Sequence, residues 1–270
     1  LTGMLSGLMA ENAVGHGQVR HIGIGCPGEI DREKGVILYS NNIRWNEVAL
    51  REKIEKAMCL PVFIENDAGC AALGEYKAGA GRGCRSMVMA TLGTGIGGGI
   101  VLDGKILAGK NGNAGIIGHM LLREGGLFCN CGRKGCWEAY ASVGALVAMA
   151  ERRIKEEPDS LLAPVLSEKG GLSGKAVLEA VHKGDRAAAS VWNRYLRYVA
   201  EGVVNLINIL DPEVVVLGGG ISAQGDLLVG PVRRFAAEQR YCRHGHLAEI
   251  TASRLGNDAA IIGAAHLGCR

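Results

Sequence analysis

Between Gly112 and Ser142 the chain carries one histidine and three closely spaced cysteines: His119, Cys129, Cys131 and Cys136. Structural zinc takes four nitrogen or sulfur ligands in a tetrahedron. One imidazole and three thiolates complete that set and leave no place for a reactive water. A metal here would pin a loop rather than do chemistry, which argues against a zinc-dependent hydrolase. Gly125, Gly126, Gly132 and Gly135 would let the loop curl around an ion, because glycine tolerates backbone angles that other residues avoid. A disulfide is the weaker rival, since three cysteines leave one thiol over.

Three other stretches could act on a ligand. Asn66 and Asp67 follow a short apolar strand, residues 60–64, and precede a helix predicted over residues 68–78. Ligands of α/β sheets bind at the carboxyl ends of strands. An aspartate there can take a proton from a substrate hydroxyl. It can equally cap the helix by accepting free backbone N–H groups, and local sequence favours the cap. Gly93, Thr94, Gly95 and Gly97 belong to a glycine-rich turn, residues 93–99, between strands at 86–92 and 100–102. Such a hairpin can face a phosphate with its backbone N–H groups, or can simply be tight. It is neither a dinucleotide fingerprint nor a Walker loop. Gly218, Gly219 and Gly220 follow a buried β-branched strand, residues 213–217. They suit the approach of a flat ring or a phosphate and, about equally, a crowded strand-to-helix turn. Asn41 and Asn42 read locally as turn residues.

The elements that must hold these residues alternate between strand and helix patterns. Residues 20–25 read as a strand ending at Cys26-Pro27-Gly28, residues 35–40 as a second extended piece, and residues 48–58 as a helix. Residues 138–156 read as one helix, residues 173–183 as a helix capped by Ser173, and residues 185–210 as one long helix. Ala188, Val191, Leu196, Val199, Val203, Leu206 and Ile209 share a face of that long helix. Residues 256–267 form a small-residue helix, and residues 1–14 read as the end of an amphipathic helix.

The chain has 270 residues, 48% apolar and 21% charged, which suits two packed lobes with a real core. No apolar run reaches the roughly 18 residues that span a bilayer, and residues 1–10 lack the pattern of a signal peptide. Lys and Arg total 30 against 27 Asp and Glu, a balance of +3 that gives no case for nucleic acid. Arg233, Arg234, Arg240 and Arg243 read as a solvated helix face. Nine cysteines without an export signal point to a reducing cytoplasm.

His119 followed by Cys129-x-Cys131-x4-Cys136-x-Glu138 resembles the zinc signature of the ROK family of repressors, open reading frames and sugar kinases. The Pro-Gly-x-Ile-Asp run from Pro27, the Asn-Ile-x-Trp run from Asn42, the Asn66-Asp67 pair and the GTGIGGG turn are similar to that family too. The resemblance implies an α/β protein of the two-lobe actin-like ATPase (sugar kinase, ribonuclease H-like) fold. Its first lobe would be residues 1–84, completed by the C-terminal helix 256–270, and its second lobe residues 85–255. It implies Asp67 as catalytic base; Asn42, Asn66, Asp67, His119 and Glu138 at the sugar; and structural zinc on His119, Cys129, Cys131 and Cys136. Gly93, Thr94, Gly95 and Gly97 would hold phosphate, and Gly218, Gly219 and Gly220 adenosine. The implied reaction is transfer of the γ-phosphoryl group of ATP, with Mg²⁺, to a hexose, glucose at its 6-hydroxyl first. The alternative is the sugar-sensing domain of a repressor, with a DNA-binding motif ahead of this region. A cytoplasmic homodimer, without membrane or nucleic-acid partner in this chain, is the expected setting.

Two departures stand out. The family usually reads Glu-x-Gly-His, with the glutamate on the sugar, and this chain has Ile116 there. Superfamily members also open with a strand hairpin reading roughly Asp-x-Gly-Gly-Thr, the first phosphate loop, and no such motif occurs here. The chain begins with Leu1. The expectation is a first lobe lacking that hairpin and a chain that does not transfer phosphate as it stands.

Overall fold

Small residues decide how this molecule is put together. The computed structural model describes residues 1–40, 42–166 and 171–269. The elements are α1 (Thr2–Glu11), β1 (Ile22–Cys26), β2 (Glu29–Asp31), β3 (Val36–Ser40), β4 (Trp45–Val48), α2 (Leu50–Met58), β5 (Val62–Asn66) and α3 (Asp67–Ala78). They continue with β6 (Ser86–Leu92), β7 (Ile96–Leu102), β8 (Lys105–Ile106), α4 (Glu138–Ala141), α5 (Val143–Glu156), α6 (Leu162–Leu166), α7 (Gly174–His182) and α8 (Arg186–Leu210). The chain closes with β9 (Val214–Gly218), α9 (Asp226–Gln239), β10 (Glu249–Ala252) and α10 (Ala259–Ala265). No helix among the described residues is long and apolar enough to cross a membrane.

β1 and β5 pair in parallel, β2, β3 and β4 form an antiparallel meander, and the larger sheet runs β10-β9-β6-β7-β8. In that sheet β6 is parallel to β9 and antiparallel to β7. One core packs β1, β3, α2 and β5 through Ile22, Ile37, Ile54 and Ile64. A larger one packs the second sheet against α5, α7, α8 and α9 through Leu92, Trp137, Leu146, Tyr195, Leu217 and Leu228.

A third core joins the two halves. Ala71, Ala72 and Ala259 from α3 and α10 meet Met87, Met89, Val101 and Val216 of the second sheet. A Cβ at Gly74 would strike the Ala259 carbonyl, and one at Gly263 the Cys70 carbonyl. A Cβ at Gly23 in β1 would strike the carbonyl of Ala264. The two helices thus touch backbone to backbone, and α10 lies just as close to β1. A boundary drawn at residues 84 and 85 therefore crosses continuous packing, with α3 and α10 shared by both sheets.

The structure redraws several local expectations. The turn between β6 and β7 holds only residues 93–95, and Gly97, Gly98 and Gly99 lie inside β7. Their lack of side chains serves packing: a Cβ at Gly97 would stand 2.9 Å from Ala68 Cβ, and one at Gly99 would meet Ala72. The helix expected over residues 138–156 is broken at Ser142, whose extended backbone (ψ 165°) ends α4. Its side chain accepts the N–H of Ala145 and caps α5. Ile209 is 73% exposed. The apolar stripe of α8 has turned to Ile207, which is buried, and Leu210, as a 3.6-residue turn requires. No residue of α1 is buried, although Leu5 and Met9 rest against the first core. Arg233 and Arg240 are not merely solvated, since they donate to the carbonyls of Ile250 and Gly245. Asn41 lies outside the described residues.

Candidate active site and metal centre

β5 delivers Asn66 and Asp67 to the mouth of a cavity between the two sheets. Asn66 has strand-like backbone (φ −61°, ψ 144°) and caps α3, its side-chain oxygen accepting the Ala68 N–H at 3.0 Å. Asp67 Oδ1 accepts the same N–H at 2.9 Å. The cap is therefore shared, with Asn66 as the capping residue. One Asp67 oxygen is fixed, and no partner binds the other among the described residues. The N-terminus of a helix favours negative charge at this position.

The cavity holds about 150 Å³, and Asn66, Asp67, Ile96, Gly97, Gly98 and Ile116 line it together with Ile30, Arg32 and Glu65. That is close to the size of one small polar molecule. Ile116 takes the wall position where a carboxylate was the family expectation.

His119 and Glu138 do not line this cavity, but Glu138 is tied to it. Glu138 Oε2 accepts the N–H of Ile96, a lining residue, at 2.8 Å, and its other oxygen lies 3.8 Å from Cys129 Sγ. Asn42 lies exposed in the turn between β3 and β4 and is not brought to the cavity.

The nucleotide-binding candidates cluster on the second sheet. Thr91 pairs with Gly218, so the turn at residues 93–95 and the glycines after β9 leave adjacent strand ends. Gly93 and Gly95 close the turn by an N–H to carbonyl bond of 3.0 Å, and Thr94 is exposed at its tip. Gly219 has φ +80°, and a Cβ there would strike the Leu92 backbone, while one on Gly218 would meet Met89. Nothing lies within 4 Å of a Cβ on Gly220. Crowding accounts for the first two glycines, and open space at the third leaves room for a ligand.

The ligand atoms of His119, Cys129, Cys131 and Cys136 all lie within 4.8 Å of one another. Cys129 Sγ is 3.6 Å from His119 Nδ1, and Cys131 Sγ is 3.6 Å from Cys136 Sγ. With Zn–S near 2.3 Å, tetrahedral ligands stand roughly 3.8 Å apart, so donor type and spacing both fit zinc. The loop is preformed by backbone bonds: Cys129 N–H to the Arg133 carbonyl, Gly135 N–H to that of Leu127, and Leu122 N–H to that of Gly135, each 2.8 Å. Burial pushes the Cys129 thiol up to about 12 and also raises Cys136, while the Arg133 backbone amide holds Cys131 down.

Two buried carboxylates were not singled out from sequence. Glu65, 4% exposed, pairs with Arg32 at 2.5 Å and accepts the Asn66 N–H at 2.7 Å. Burial raises its pKa above the ordinary carboxylate value, against the pull of Arg32. Glu75, fully buried in α3, accepts from the Ser253 hydroxyl and from the N–H groups of Leu255 and Ala80. A charged residue closing an otherwise apolar strand was the available signal for Glu65. For Glu75 there was none, because two of its three partners, Ser253 and Leu255, are far away in sequence.

Two α/β halves sharing a pair of helices, with a ligand-sized cavity between strand ends, define the two-lobe actin-like ATPase fold of sugar kinases. The ROK family model matches residues 1–270, and the chain belongs to the ROK family. A glucokinase from Halalkalibacterium halodurans is 42% identical over 243 residues, 90% of this chain and 74% of that protein. A ROK family glucokinase from Streptomyces griseus, solved with glucose and AMPPNP, aligns at TM-score 0.84 and 36% identity, covering 98% of this chain and 86% of its own. A xylose repressor from Caldicellulosiruptor bescii is 30% identical over 242 residues, 90% of this chain and 60% of the repressor.

Proposed function

We propose that this ROK-type hexokinase transfers the γ-phosphoryl group of ATP to the 6-hydroxyl of glucose or a related hexose, with Asp67 as general base. The observation that carries this reading is the placement of Asp67. It stands at a strand end with one oxygen uncommitted, lining the same cavity as Ile96, Gly97 and Gly98 at the start of β7.

The residues divide the work. Asn66, capped onto α3 and donating one amide N–H to the Gly28 carbonyl at 3.4 Å, has its other amide N–H for the sugar. Asp67 accepts the proton of the attacking hydroxyl as the oxygen bonds to phosphorus. The backbone N–H groups at residues 93–95 meet phosphate oxygens, and Gly218, Gly219 and Gly220 border adenosine. His119 and Glu138, which do not line the cavity as it stands, would reach the sugar only as the lobes close, and zinc would hold their loop through His119, Cys129, Cys131 and Cys136. Mg²⁺, brought with ATP, would supply neutralisation of charge on the phosphates. Closure of the lobes excludes water and so limits hydrolysis of ATP.

The higher identity to glucokinases supports the kinase over the repressor reading. Nine free cysteines accord with a cytoplasmic protein, and a homodimer completes the proposal. The test is hexose-dependent ADP formation, with ³¹P spectra of the product. It is run on this chain and on the product of the same gene read from further upstream. Formation of a hexose 6-phosphate supports the reading. Absence of turnover by both, with sugar-sensitive binding of operator-like DNA, replaces it with the repressor.

A further inference from the structure

Burial in β5 does not follow simple alternation. Val62 and Ile64 are buried and Phe63 is exposed, so Glu65 should share the exposed face of Phe63. It is buried instead, because Arg32 and the first turn of α3 at Gly69 cover it, and a segment of the other half seats on Arg32 in turn. A Cβ on Gly112 would stand 3.0 Å from the Ile30 carbonyl and 3.7 Å from Arg32 Cγ and Cδ. Asn113 beside it donates to Glu29 at 3.1 Å. Arg32 is also held from behind, its carbonyl accepting from Arg51 Nη2 at 2.7 Å, while Arg51 donates to Val62 in β5. Glu65 in turn receives the Asn66 N–H, the last backbone donor before the base.

An ion pair this well covered is a poor stability device. Desolvation of both charges offsets most of their attraction. Burial already raises Glu65 against the pull of Arg32, and the Arg32 Nε is buried with no partner among the described residues. The pair also sits among other groups, since Cys70 lies close enough to feel Glu65, Asp67 and Arg32. Its geometry, however, acts on one spot: the peptide that turns β5 into α3 and thereby aims Asn66 and Asp67.

We propose that Glu65 and Arg32 are positioning residues, which fix the Asn66–Asp67 junction and link its placement to the seating of residues 112–113 on the first half. Glu65 acts by accepting the Asn66 N–H, and Arg32 acts by holding Glu65 where it can. This rests on the reading of Asn66 as sugar ligand and Asp67 as base. Both line the cavity, and the role assigned to them is to aim Asn66 and Asp67, not to transfer a proton or a phosphoryl group.

The experiment separates positioning from stability. The double variant Arg32→Met with Glu65→Leu replaces the pair by apolar groups, a change that often leaves stability intact. Its melting temperature should stay within about 4 °C of the parent. Its calorimetric hexose Kd should weaken at least about 10-fold, and kcat should fall by a similar factor with the KM for ATP unchanged, as expected for a misaimed site. Glu65→Gln keeps an acceptor for the Asn66 N–H and should retain hexose affinity within about threefold, since a neutral acceptor still makes that bond.

Wild-type hexose affinity and kcat in the double variant would overturn the proposal, as would Glu65→Gln failing as badly as the double variant. Should the double variant not fold, Arg32→Lys decides. The charge stays but the planar fork is lost, so affinity should drop at least about threefold at unchanged melting temperature. Unchanged affinity there overturns the proposal too. Asp67→Asn run in parallel keeps the two readings apart. Full turnover in Asp67→Asn sinks the base and leaves hexose affinity in the pair variants as the judge of positioning.

Discussion

The metal loop, linked to the cavity wall through Glu138 and Ile96, and the Asp67 junction, which lines the cavity, are built by opposite means. The loop draws all four donors from one stretch, His119 to Cys136, and short-range backbone bonds bring them together. The junction draws on β2, β5, α3, β7 and the segment at residues 112–116, which are far apart in sequence. The loop needs only its own short-range backbone bonds to bring its donors together. The junction needs close packing, because α3 reaches β7 and α10 only where Gly74, Gly97, Gly99 and Gly263 leave room. A local site fails when a donor is lost, and a distributed site fails when a neighbour gains a methyl group.

The largest expected effect is at the junction itself. In whichever of the two forms assayed above turns over hexose, Asp67→Asn should fold and bind hexose but lose about 10²–10⁴ in turnover, since an amide cannot take the proton. The check is turnover under saturating hexose and ATP, and full activity would remove Asp67 from the mechanism. An unfolded variant would give the residue a mainly structural role.

At the metal loop the effect is all or none in metal content. The parent should hold about one zinc per chain by elemental analysis, and Cys131→Ser should hold none. Full zinc in that variant would break the assignment of the four donors.

The packing arm of the comparison is tested at a distance from both ligands. Gly74→Ala places a methyl against the Ala259 carbonyl, with backbone on both sides. Overpacking of this kind costs about 1–3 kcal/mol. The melting temperature should fall, and zinc content should not. Equal loss of zinc would mean that the loop depends on the same packing as the junction.

Ile116→Glu is smaller. A carboxylate beside the cavity restores an acceptor for sugar hydroxyls, and hydrogen bonds to charged groups contribute about 1.5–3 kcal/mol. Glucose Kd by calorimetry should tighten about 10-fold. Unchanged or weaker binding would show a pocket adapted to isoleucine.

The smallest effect lies outside both regions. Burial alone would raise Asp185, but the N–H groups of Ala188 and Leu161 and the Ser160 hydroxyl outweigh it and hold the carboxyl below its ordinary value. A depressed carboxylate adds stability that is present above its unfolded pKa and lost as pH falls through the folded one. Acid melting should therefore be shallower in Asp185→Asn than in the parent, the difference confined to the acid end. Parallel acid curves would remove Asp185 from the account.

Much of this was legible in the chain. The strand Ser86–Leu92, the Ser173 cap and the Asp185 start of α8 follow local rules, because a strand period or a free helix N–H needs no distant partner. The cluster of His119, Cys129, Cys131 and Cys136 was legible for the same reason. The glycines of β7 were misleading. They read as part of an extended phosphate turn, and the structure packs Gly97 and Gly99 against α3 and Gly98 against residues 115 and 117, which no local pattern distinguishes. The break at Ser142 was hidden, since a capping serine inside an apolar run can also lie within one helix. Glu75 was hidden because its partners, Ser253 and Leu255, are close only in space.

By itself the sequence determined the donor set of the metal loop, the glycine-rich strand ends and the Asn66-Asp67 pair at the end of an apolar strand. Each is a matter of residue type and short spacing, which survive any arrangement of the rest. Tertiary structure alone decided that Asn66 is the main cap and leaves an Asp67 oxygen free. It decided that Ile116 faces the same cavity as Asp67, and that Glu65 is buried against Arg32. Those outcomes depend on which surfaces meet when α3 and α10 slide between two sheets, and backbone contact across glycines settles that.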